Sequence, residues 1–218
     1  MDGDAATAYA RGDYARAVEL LEAALRDVAG DARIRLLIRL GNACEELGRS
    51  DAALDAYRQA LETDPSSAAA WNNVGIICTR IGRFDEALQA LEQARDLDPE
   101  NADILVTLGS LALKRGDPGN ALVALSEALD LQSGHPLAHA NMALTLAVFG
   151  RLEEAEESLQ LAAMYGFTGG QAIQDRIERM KTVRDTMLRE MDDQQSDEEI
   201  DRTPDYPYDD PGVTEKQA

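Results

Sequence analysis

Glycine stands at positions 48, 82, 116 and 150, at intervals of 34 residues, and each of these glycines closes an apolar run of helical spacing. A fixed period of this length dictates the architecture, because a unit of about 34 residues cannot bury a core of its own and must stack on its neighbours. Glycine after a helical run suits a left-handed C-cap, which side-chain-bearing residues adopt reluctantly. Alanine follows each glycine five residues later (Ala53, Ala87, Ala121, Ala155). A larger residue comes four beyond it (Tyr57, Leu91, Leu125, Leu159), then a second alanine (Ala60, Ala94, Ala128, Ala162). That spacing is one face of a helix. Upstream of the glycines a second stripe recurs: Leu37, Leu40, Gly41, Cys44; then Trp71, Val74, Gly75, Cys78; then Leu105, Leu108, Gly109, Ala112; then His139, Met142, Ala143, Leu146. Each unit therefore reads as two antiparallel helices that touch through small residues.

Trp71, Val74, Gly75, Cys78, Ala87, Leu91, Ala94 and Pro99 occupy the signature positions of the tetratricopeptide (TPR) repeat, which the chain resembles over roughly residues 3–168. Four full repeats fit, starting at Ile34, Ala68, Ala102 and Pro136. A fifth, shortened at its front, precedes them with Gly12, Ala17, Leu21 and Ala24. Gly12 and Gly48 lie 36 residues apart, so that junction carries two extra residues. Ser133 and Phe167 stand where the signature has its terminal proline, and His139 takes the aromatic slot. The resemblance implies an all-α solenoid of antiparallel helix pairs forming a right-handed superhelix.

Three segments are expected. Residues 1–168 form the solenoid. Residues 169–191 form a C-terminal capping helix, in which Ile173, Ile177, Met180, Val183 and Met187 recur at helical spacing; a solenoid end needs such a cover. Residues 192–218 form an acidic, disordered tail. This last stretch holds ten acidic and two basic side chains, a net of −8 out of the chain's −20, with three prolines and few aliphatic residues. It cannot bury enough apolar surface to order itself.

Composition also bounds function. No apolar run approaches the roughly 20 residues of a membrane helix, and the first residues show neither a basic nor an apolar signal region. The chain is read as cytoplasmic. A sequence pI near 4.3 repels phosphate, which argues against nucleic-acid partners. The two cysteines, Cys44 and Cys78, fill equivalent positions of adjacent repeats, whose parallel helix axes should lie roughly 8–10 Å apart, too far for an easy disulfide. His135 and His139 are spaced four apart, as two metal ligands on a helix can be, but no further ligand is evident nearby, so a core or helix-start role is expected. Dispersed carboxylates and two histidines offer no nucleophile with a base. The chain is expected to be no enzyme and to need no cofactor or metal.

Function is then expected on a surface. In the TPR family the first helices of successive repeats line a concave groove that takes an extended peptide or a partner helix. The stripe opposite the packing residues comprises Arg35, Ile38, Arg39, Asn42 and Glu46 in the second repeat; Ala69, Asn72, Asn73, Ile76 and Arg80 in the third; Asp103, Val106, Thr107, Ser110 and Lys114 in the fourth; and Leu137, Ala140, Asn141, Leu144 and Val148 in the fifth. Partner binding is assigned to Arg35, Arg39, Asn42, Asn72, Asn73, Ile76, Arg80, Thr107, Lys114 and Asn141. A carboxamide can both donate to and accept from a peptide backbone. The basic residues among them suit an acidic or carboxylate segment, and the fifth repeat suits an apolar one. The subclass of the family that clamps chaperone carboxyl termini is not matched, because Ile38, Asp103 and Thr107 replace its basic residues. The expected role is a protein-binding adaptor. The alternatives are a chaperone for a specific client, or a self-assembling scaffold that pairs through Val18, Leu21 and Leu25 of the shortened first repeat.

Overall fold

The computed structural model describes residues 2–200. Eleven α-helices follow one another among the described residues: α1 (Asp2–Ala10), α2 (Tyr14–Ala24), α3 (Gly30–Glu46), α4 (Ser50–Thr63), α5 (Ala68–Arg80), α6 (Phe84–Leu97), α7 (Ala102–Lys114), α8 (Pro118–Leu131), α9 (Pro136–Val148), α10 (Leu152–Met164) and α11 (Gln171–Ile200). They pair as α1/α2, α3/α4, α5/α6, α7/α8 and α9/α10, and the second helix of each pair also packs on the first helix of the next. This is the all-α TPR solenoid. The chain divides after Ile177 into two compact units, with the five helix pairs in the first.

The 34-residue signals act as local stops and starts. Gly82 adopts φ 80°, and the Arg83 N–H then donates back to the Cys78 carbonyl, a bond that closes the turn after α5. The same six-residue return recurs from Arg49 to Cys44, Asp117 to Ala112 and Arg151 to Leu146. Gly166, which lies outside the repeat pattern, does likewise after α10, where Phe167 donates to Ala162. At the starts, Ser67, Asn101 and His135 cap α5, α7 and α9 by accepting a backbone N–H.

The core follows the small-to-large pairing read from the sequence. A Cβ on Gly109 would come within 2.7 Å of Leu125, and Gly41 and Gly75 face Tyr57 and Leu91 still more closely. Tyr57, Leu91 and Leu125 are fully buried, and the fifth repeat places buried Ala143 and Leu159 at the same positions. Cys44 and Cys78 are buried and free. Burial, reinforced by the Glu86 carboxylate, pushes the Cys78 thiol up to about 11.

Three expectations differ from the structure. The repeat placed at Ile34 begins earlier, at Gly30, because the longer first junction contains a 3-10 turn over Leu25–Asp27 and α3 starts a full turn sooner. Val18 and Leu21 are buried and Leu25 is half-buried, so the first repeat shows no open apolar face of the kind needed for self-pairing. The helix over 169–191 runs on to Ile200, past the expected start of the acidic tail. Residues 192–200 contain no proline or glycine to stop it, and the first proline is Pro204. The rest of the tail, 201–218, lies outside the described residues. No helix among the described residues is long and apolar enough to cross a membrane.

Candidate partner-binding groove

The candidate site lies on the first helices α3, α5, α7 and α9. Successive members of this row touch, α5 against α7 and α7 against α9. Residues exactly one period apart therefore fall at equivalent heights, and Arg39, Asn73, Thr107 and Asn141 form one such series. Arg39 is exposed and the other three are half-buried. The series is polar in these four repeats, whereas the positions flanking it are mixed.

At the α3/α5 step the side chains form a network. The Tyr57 hydroxyl donates to Asn42 Oδ1 at 2.6 Å, and Asn73 Nδ2 reaches the same oxygen at 3.5 Å. Glu45 Oε2 lies 3.4 Å from the Tyr57 hydroxyl, and its other oxygen takes an ion pair from Arg80. Burial, then the Glu45 charge, holds the Tyr57 phenol well above its ordinary range, so it stays a donor. Thus Asn42, Asn73 and Arg80 come together, and part of the positive charge expected in the groove is answered by Glu45 from within the protein. Beside this network a hollow of about 210 Å³ opens between α1 and α3, lined by Ala5, Ala6, Tyr9, Leu21, Arg39 and Asn42. Desolvation and the nearby Glu46 carboxylate push the Tyr9 phenol up as well.

The remaining expected residues are more scattered. Arg35 and Lys114 are exposed, and Ile76 is half-buried. Asn72 is half-buried, and its carboxamide oxygen is fully buried without a hydrogen-bond partner among the described residues. Thr107 donates to the Asp103 carbonyl of its own helix, leaving its lone pairs outward, and the Asn141 carbonyl accepts from Thr145. Val106 and Ala140, expected on the groove, are instead buried. Leu137 and Val148 are about half exposed at the two ends of α9.

Sequence reasoning missed Tyr9, Tyr57 and Glu45. Tyr57 carried a signal: it stands where the other repeats have leucine, and a buried phenol needs a hydrogen-bond partner. The histidines serve structure. His135 Nδ1 accepts the Ala138 N–H at 3.2 Å, which leaves Nε2 as the protonated nitrogen facing Asp103 Oδ1 at 2.8 Å. His139 Nε2 lies 2.8 Å from the Ser133 carbonyl, and its ring stacks on Tyr165.

Known proteins share this organisation. Residues 3–165 match the family model described as the Cilia and flagella-associated protein 70 C-terminal domain, a TPR domain. PilF of Pseudomonas aeruginosa is similar at 24% identity, over 85% of this chain and 84% of that one, with a TM-score of 0.67. TTC0263, a thermophilic TPR protein of Thermus thermophilus, is 21% identical over 83% of this chain and 97% of its own, with a TM-score of 0.68. MamA is 22% identical over 74% and 93%, with a TM-score of 0.60. At these identities the likeness is one of fold. No curated protein matches the chain.

Proposed function

Because the chain belongs to the TPR family described as the Cilia and flagella-associated protein 70 C-terminal domain, we propose that it is a non-catalytic adaptor that holds an extended peptide of a partner protein along α3, α5, α7 and α9. The observation that carries this reading is the polar series Arg39, Asn73, Thr107 and Asn141. Core packing requires nothing polar there. An extended strand rises about 3.3 Å per residue, so groups on helices roughly 10 Å apart meet its backbone about every third residue. Each such contact is a hydrogen bond to main chain, independent of the peptide's sequence.

Sequence preference would come from the ends. Arg39, which lines the hollow beside Tyr9, and exposed Arg35 favour a carboxylate, while Leu137 and Val148 on α9 favour an apolar residue. The basic attraction is modest, since Arg80 is already paired with Glu45 and exposed ion pairs contribute little. Main-chain bonds along the series dominate instead.

The test is the double replacement Arg39→Ala with Asn73→Ala, measured by calorimetric titration against peptides selected from a library on the wild-type chain. Affinity should fall by about 2–4 kcal/mol, at roughly 1–2 per lost buried hydrogen-bonding side chain, with helix content unchanged. Equal affinity for both proteins would place the peptide elsewhere.

A further inference from the structure

An exposed apolar stripe runs along α11. Ile173 and Ile177 begin its stripe and are buried in the first compact unit, but beyond Ile177 the stripe is open. Val183, Met187, Leu188 and Met191 are each between 53% and 58% exposed. Their spacing keeps them on one side of the helix. Four large apolar side chains left in water on a single face mark an association surface.

The charges flanking this stripe identify what covers it. Residues 176–189 carry Arg176, Arg179, Lys181, Arg184 and Arg189 against Glu178 and Asp185, a net of +3. Residues 190–199 carry Glu190, Asp192, Asp193, Asp197, Glu198 and Glu199 and no basic residue, a net of −6. The helix is thus basic before its apolar centre and acidic after it, and such a helix complements a reversed copy of itself. We infer that α11 pairs with the α11 of a second copy of this chain, antiparallel, about a two-fold axis at Met187.

That axis sets positions summing to 374 level with each other. Residue 176 then falls level with 198 and 184 with 190, so the basic stretch of one helix runs beside the acidic stretch of the other, while Val183 meets Met191 and Met187 meets itself. A two-fold pair repeats every one of these contacts. A parallel pair would instead lay basic on basic and acidic on acidic. The paired segment, 176–198, spans about 34 Å at 1.5 Å per residue, a short seam of about three heptads. The dimer is therefore weak and depends on concentration and on salt.

Sedimentation velocity on the full chain tests this, at loading concentrations rising a hundredfold, in low and high salt. Reversible dimerisation is expected, shifting to several-fold higher concentration in 0.5 M salt. Met187→Asp should abolish it with the circular dichroism spectrum unchanged, because Met187 is exposed. The orientation is tested by Lys181→Glu with Arg184→Glu, and separately by Glu190→Lys with Asp193→Lys. In an antiparallel pair each variant sets like charges against each other and should dimerise at least tenfold more weakly, and an equimolar mixture of the two should recover wild-type dimerisation. A strictly monomeric wild-type chain across the range, or a dimer that tolerates Met187→Asp, overturns the pairing. Unchanged dimerisation of the Lys181→Glu, Arg184→Glu variant overturns its antiparallel orientation.

Discussion

Replacing Gly75 with alanine probes the contact that sets the distance between the two helices of a repeat. A Cβ at this position would collide with Cγ and Cδ2 of Leu91, which is fully buried across the pair. Overpacking of this kind costs about 1–3 kcal/mol, while alanine gains about 1 kcal/mol over glycine inside a helix. The net should be a destabilisation of about 0–2 kcal/mol. Leu91→Ala alone should cost about 2–5 kcal/mol, as expected for a buried leucine whose site collapses only in part. In the double variant the obstructing methyls are gone, so Gly75→Ala keeps only its propensity gain and becomes stabilising by about 1 kcal/mol. The two changes should therefore couple by about 1–3 kcal/mol. Urea denaturation followed by circular dichroism and by fluorescence of Trp71, the chain's one tryptophan, which sits on α5 beside the contact, measures all four proteins. Additivity within about 0.5 kcal/mol would refute the reasoning, since it would mean that Leu91 does not limit the approach at Gly75. The fifth repeat, with Ala143 in the glycine's place and Leu159 as partner, already accommodates an alanine.

Three further outcomes are expected. His135→Ala should lower stability by about 1–2 kcal/mol through loss of the α9 cap and the link to Asp103, and His135→Asn, which keeps a capping acceptor, should cost less in the same melt. Stability should decline as pH rises from 9 towards 11: the buried Cys78 thiol stays neutral in the folded chain, whereas the unfolded chain ionises its thiol from about pH 9. Cys78→Ala should make that decline shallower in urea midpoints taken across the range, the remainder coming from Cys44 and the raised Tyr9 and Tyr57 phenols. Arg49 precedes α4 without a side-chain cap, whereas Asp117 caps α8 by accepting from Asn120, so Arg49→Asp should raise the melting temperature by the equivalent of about 0.5–1 kcal/mol.

What the sequence determined by itself was everything set by local geometry repeated at a fixed period. Gly82 ends α5 because one residue there must take a positive φ, and Gly75 faces Leu91 because two helices of a short hairpin must touch somewhere. Such constraints act on residues near in sequence or at identical places in each unit, so they leave a periodic trace. The partners of polar side chains leave none. Tyr57 to Asn42, Arg80 to Glu45 and His135 to Asp103 join residues 15, 35 and 32 positions apart. Each depends on how far one helix slides and turns against the next. A long polar side chain can reach several acceptors within that range, and burial decides among them. Hence a strip that reads as free positive charge along the chain is partly neutralised in space. The same holds for Val106 and Ala140, which share the periodicity of the groove face yet are buried in the stack. Period and composition prescribe which residues pack, but only the stacked helices decide which of the remaining ones stay in water.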